Sequence, residues 1–136
     1  MHRFAACVLL TAGLAAAACS NDLVTTPSTT APPDTSAETF TGVLARNGAA
    51  TFPFASGPST VQATLTTLAP DSTLLVGLSL GTWNGTACQI VIAKDDATQG
   101  VVVVGSASTN GNLCVRIYDV GKIVEPASYQ IDVVHF

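Results

Sequence analysis

The stretch "STLLVGLSLGTWNGTACQIVIAK", residues 72–94, decides the fold. Leu74, Val76, Leu78 and Leu80 recur at every second position, the spacing that puts side chains on one face of a strand. Asn84-Gly85 follows, a pair that tolerates the positive φ angles of a tight hairpin turn. From Cys88 to Lys94 the chain resumes as a second β-rich run. No helical period of 3.6 competes with this pattern.

Outward from this hairpin the same grammar repeats. Before it stand "ETFTGVLA" (38–45), "ATFPFAS" (50–56) and "STVQATLTTLA" (59–69); after it come "GVVVVGSAS" (100–108), "NLCVRIYDV" (112–120) and "SYQIDVVHF" (128–136). Val61, Ala63 and Leu65 alternate with Gln62, Thr64 and Thr66. Leu113, Val115 and Ile117 oppose Cys114, Arg116 and Tyr118, and Tyr129, Ile131 and Val133 oppose Gln130, Asp132 and Val134. Such alternation belongs to a sheet with one dry and one wet face. "KDDATQG" (94–100) and Asn110-Gly111 predict two further hairpins, so the middle of the chain reads as a meander, with looser connections at "SGPST" and "APDST". The fold class that follows is all-β: an antiparallel β-sandwich of about eight strands, in one domain over residues 39–136.

The front of the chain is of another kind. Residues 1–18, "MHRFAACVLLTAGLAAAA", join a positive start at Arg3 to an apolar run ending in small residues. That run is shorter than the roughly 20 residues of a membrane-spanning helix and reads as an export signal. "AAAC" at 16–19 resembles the bacterial lipobox, which implies that Cys19 is lipidated and becomes the mature N-terminus. The same alanines suit an ordinary signal peptidase, so plain secretion is the alternative. Residues 19–38, rich in Thr, Ser, Pro and Ala, lack any apolar periodicity and read as a disordered tether. Ser20 after Cys19 resembles the outer-membrane sorting signal of Gram-negative lipoproteins. The expected location is therefore the cell envelope, with the membrane reached through the N-terminal lipid.

Cysteine parity supports this reading. Of four cysteines, Cys7 leaves with the signal, and if Cys88 and Cys114 pair, Cys19 is left over and lipidation accounts for it. A Cys88–Cys114 disulfide suits an oxidising compartment and would contribute roughly 3–4 kcal/mol. Zinc would need more ligands than one histidine, His135, supplies, and redox catalysis would favour a C-x-x-C pair, which is absent. The immunoglobulin framework is excluded because Trp83 precedes both cysteines instead of falling between them.

"VQATLTTLAPDSTLLVGLSLG", "GNLCVRIYDVG" and "ASYQIDVVH" together resemble the bacterial pre-peptidase C-terminal domain, over nearly all of residues 39–136. The resemblance implies a small jelly-roll-like sandwich acting as an accessory or binding module beside secreted enzymes or on surface proteins.

Function classes narrow by exclusion. The formal net charge is −4 and no basic stripe exists, so nucleic acid is not an expected partner. His135 has no evident nucleophile to activate and, on a terminal strand, is expected half-exposed at an edge; Asp95-Asp96 sit together in a turn, where aspartate bonds its own backbone. No catalytic residue, metal ligand or cofactor is therefore assigned. Asp71, Asp95 and Asp96 are loop acids, but the D-x-D-x-D spacing of a calcium loop is missing. Trp83, the lone tryptophan, either caps the core or offers a sugar platform, and capping is the expectation. Tyr118 shares a face with Arg116 and extends any such patch. The chain thus reads as a non-enzymatic module whose partner is an envelope protein or a glycan. The alternatives are a carbohydrate-binding module using Trp83 and a purely structural envelope lipoprotein.

Overall fold

The computed structural model describes residues 35–136. The segment read as an export signal, Cys19 and all but the end of the expected tether lie outside the described residues. Eight strands form: β1 (Ser36–Leu44), β2 (Ala49–Ser56), β3 (Ser59–Ala69), β4 (Val76–Trp83), β5 (Cys88–Ala97), β6 (Val102–Ala107), β7 (Gly111–Tyr118) and β8 (Ala127–His135). Pairing begins at Ser36 opposite His135, ahead of the boundary at 39 read from composition.

Two four-stranded antiparallel sheets result, in the orders β1-β8-β3-β6 and β2-β7-β4-β5. This is the strand order of a jelly roll, in which successive strands switch sheets. Only β4 and β5, among the described residues, are consecutive strands paired in one sheet, with Trp83 opposite Cys88. Their connection works as expected in part: Gly85 takes φ 93°, while the Asn84 side chain accepts hydrogen bonds from the Thr86 and Ala87 N–H groups at 2.9 and 2.8 Å.

The other two hairpins of the expected meander do not form. β6 pairs with β3, while β5 and β7 lie in the opposite sheet. The β5–β6 turn instead docks on β3: Gly100 N–H donates to the Leu65 carbonyl at 2.7 Å, and Leu65 N–H donates to the Val101 carbonyl at 2.9 Å. Gln99 also accepts the Leu68 N–H at 2.9 Å through its side chain. Gly111 does not take up a positive φ; it opens β7 and pairs with Ser56. Both sides of β7 are occupied, by β2 and β4, so the local turn signal at 110–111 has no strand edge to close on.

The inward faces are those the alternation predicts. Val61, Ala63 and Leu65 of β3 and Ile131 and Val133 of β8 meet Leu78 and Leu80 of β4 and Val115 and Ile117 of β7, all buried. A bulge at Thr66 resets the phase of β3, so that Leu68, not Thr67, turns inward. At about 25 cal/mol per Å² of apolar area, burying each large side chain contributes roughly 1.5–3 kcal/mol. The β1–β2 side is closed by aromatic rings: Phe40 stacks on Phe52 at 4.8 Å, and Phe52 meets Tyr129 edge-on at 6.3 Å.

His135 departs from its expected place. It is buried, not half-exposed at an edge, because β8 lies between β1 and β3. Its ring stacks on Phe54 at 5.6 Å, and its Nε2 stands 3.2 Å from Glu38 Oε1.

Candidate functional site

The outer face of the β2-β7-β4-β5 sheet gathers the residues singled out from sequence. Strand β4 presents Gly77, Ser79 and Gly81 outward between its inward leucines, which leaves a shallow trough along the sheet. On one side β7 supplies Cys114, Arg116 and Tyr118; on the other β5 supplies Ile90 and Asp95.

Two of these small residues are required by close approach. A β-carbon on Gly77 would lie 2.1 Å from Cε2 and 2.2 Å from Cζ of Tyr118, so the tyrosine ring lies against the backbone of β4. A β-carbon on Gly81 would lie 2.1 Å from the carbonyl oxygen of Gln89, because β5 curls over β4 there. The register breaks between Leu80 and Gly81, leaving Val91 as the bulged residue. That curl lets a disulfide join β5 to β7 across the strand between them. Cys88 and Cys114 are bonded with their Cα atoms 5.8 Å apart, and Cys114 is fully buried.

The polar groups of the trough form a short chain. The Tyr118 hydroxyl donates to the Asp95 carboxylate. Burial, followed by that bond and the negative charge of Asp95, pushes the Tyr118 phenol up to about 12. The Arg116 guanidinium lies 5.9 Å over the Tyr118 ring, in cation–π geometry. Arg116 takes part in neither ion pair found among the described residues, Lys94–Asp96 at 3.1 Å and His135–Glu38. Its Nε is buried and has no hydrogen-bond partner. Ile90, Arg116 and Tyr118 together line a hollow of about 210 Å³.

Trp83 lies half-buried at the end of β4, and the pairing opposite Cys88 puts it on this same outer face. It stands outside the core cluster and outside the residues packed against it, so the expected core-capping role is not the one it takes. The closing aromatic work falls to Phe40, Phe52 and Tyr129 at the far side. Sequence alternation already placed Arg116 beside Tyr118. It missed Ile90, because the β5 bulge changes which side chains point outward, although the small residues between the leucines of "VGLSLG" signalled a trough.

Of the three acids expected in loops only Asp71 is in one: Asp95 and Asp96 lie within β5, not in a turn, because the strand runs on to Ala97, and Asp95 accepts from Tyr118. Asp71 accepts from the Thr73 N–H and hydroxyl at 2.8 and 2.7 Å, and these bonds hold its carboxyl below the usual range. Asp96 is lowered by its hydrogen bond and ion pair with Lys94. Among the described residues no three His, Cys, Asp or Glu side chains gather as a metal site.

A second feature lies where β5 and β6 leave the two sheets with free edges. Val91 is 70% exposed, Val104 51% and Val102 45%, and a cavity of about 160 Å³ runs inward to Leu80, Gly105 and Val61. Register breaks at Val91 and near Asp95 kink β5, and Lys94, paired opposite the inward Leu78, puts a charge beside the sandwich margin. Bulges and inward-pointing charges are devices that discourage edge-to-edge strand addition.

No protein-family model matches the chain, and no curated protein matches its sequence.

Proposed function

We propose that this chain is an exported, lipid-anchored, non-enzymatic binding module of the cell envelope, held through Cys19 and presenting the outer face of the β2-β7-β4-β5 sheet to its ligand. The observation that carries this reading is Arg116. It is a guanidinium without an ion-pair partner among the described residues, set beside an aromatic ring in a hollow. A buried, unsatisfied donor costs free energy unless something completes it. The bonded Cys88–Cys114 pair supports export, since structural disulfides persist in oxidising compartments. The segments that resemble the pre-peptidase C-terminal domain support an accessory or binding role in place of catalysis. Nucleic acid is set aside on charge, as the chain is acidic overall.

The test has two arms. Mass spectrometry of the native protein is expected to find an acylated Cys19 at the mature N-terminus; a lipid-free start would remove the anchor from the account. Incubation of the full chain with envelope polysaccharide and envelope protein fractions is expected to give retention without turnover. Hydrolysis of a peptide or glycoside, abolished by one point change, would overturn the non-enzymatic reading.

A further inference from the structure

We infer that the hollow lined by Ile90, Arg116 and Tyr118 is a subsite for a carboxylate-bearing sugar, a uronate unit within a polysaccharide. This rests on the binding-module reading and names the ligand class of that face. Three chemical features converge. Arg116 carries a planar fork of donors that matches a carboxylate with two parallel hydrogen bonds, and no acidic side chain among the described residues claims it. Tyr118 lies against the backbone at Gly77, held there by its hydroxyl bond to Asp95, and so offers a fixed ring beside the charge. Ile90, 44% exposed, gives the hollow an apolar wall suited to the C–H face of a sugar ring.

Electrostatics fixes the direction of binding. Asp95 stands on the β5 side of Tyr118, so an incoming carboxylate is repelled from there and drawn to Arg116. Trp83 supplies a second aromatic group on the same face, two residues beyond Gly81, which pairs with Ile90, and six residues from Gly77, about 20 Å from the Tyr118 end of the hollow at the usual strand rise. A spacing of that size suits a chain of several sugars better than a single unit.

The test measures binding of the full chain to polygalacturonate, with neutral dextran as the comparison. Retention on polygalacturonate and not on dextran is expected, weakening as salt rises. Arg116→Gln should reduce affinity about tenfold or more, the usual scale for lost charge-assisted hydrogen bonds. Ile90→Asp adds a like charge to the hollow without touching Arg116 and should reduce it similarly, whereas Ile90→Gln should reduce it less. Melting curves identify any variant that fails to fold, and because Ile90 is exposed its pair of variants keeps the test decisive. Equal binding to dextran, or binding unchanged in both Arg116→Gln and Ile90→Asp, overturns the uronate subsite but leaves a binding module in place. Binding to neither polymer overturns the uronate subsite as well, and retention of an envelope protein in the fraction assay would then identify the module's partner class separately.

Discussion

Tyr118 and Gly77 are in direct apposition across β7 and β4: the tyrosine ring fills the space where a β-carbon of residue 77 would stand. The glycine is therefore a positioning residue for the ring, and the ring's place decides where its hydroxyl meets Asp95. Gly77→Ala should displace the ring, break the Tyr118–Asp95 bond and cost about 1–3 kcal/mol by overpacking. Chemical denaturation measures the cost. A phenolate titration should show the Tyr118 transition falling from about 12 toward its ordinary value of 10.0. An unchanged transition would contradict the apposition.

The raised Tyr118 phenol, held up first by burial and then by the same bond, predicts an alkaline limit. A phenol whose folded-state pKa is raised binds its proton more tightly folded than unfolded. Its contribution is complete below the unfolded value of 10.0 and is lost as pH rises through about 12. Melting temperature should fall over that window, and Tyr118→Phe should fall less steeply. Parallel curves for the two proteins would remove Tyr118 as the cause.

Asp119 predicts an acid limit at the opposite end of the scale. Its carboxylate accepts from Asn47 N–H at 2.8 Å, and from Gly121, Lys122 and Ile123 at 2.8, 2.9 and 3.1 Å. The Asn47 bond is the largest cause holding its pKa below the usual value. The clasp joins the β1–β2 turn, where Asn47 takes φ 57°, to the loop before β8. A depressed folded-state pKa gives stability that is present above the unfolded value, about 3.9, and lost as pH falls through the folded one. Asp119→Ala should lower the melting temperature at neutral pH and flatten its decline in acid. An identical acid limb in both proteins would contradict the clasp.

Reduction tests the staple. Cys88 and Cys114 are 26 residues apart, and closing a loop of that size contributes about 3.5 kcal/mol on the chain-entropy account. The double variant Cys88→Ser, Cys114→Ser should lose that order of stability and free β5 to move away from Gly81. Hydrogen exchange along residues 88–97 would show the loosening. Unaltered protection there would mean that β5 is held by its pairing with β4 alone.

The strands were legible in the sequence because each inward face repeats at period two, as in Val61-Ala63-Leu65 and Tyr129-Ile131-Val133. The hairpin at Asn84-Gly85 was legible too, since its two strands are true neighbours. The partners of the other strands were not. Asn110-Gly111 carries a hairpin signal, yet β7 is paired on both sides by strands distant in sequence, and long-range pairing overrides the local turn. The burial of His135 has the same origin: whether a final strand lies at an edge depends on sheet order, which local alternation does not encode, and β8 lies between β1 and β3. The site was half legible. Arg116 and Tyr118 share a face by parity, but Ile90 joins them only through a bulge; Trp83 lies outside the core because it shares the outward parity of Gly77, Ser79 and Gly81, opposite to that of Leu78 and Leu80.

Footprinting of the full chain bound to its isolated envelope fraction, by oxidative labelling read residue by residue, tests the binding face most directly. Protection is expected at Trp83, Ile90 and Tyr118, with Val43 and Val124, exposed elsewhere on the domain, labelled as in the free protein. Protection confined to Val102 and Val104 at the β5–β6 margin, with Trp83 and Tyr118 still labelled, would contradict the assignment of that face.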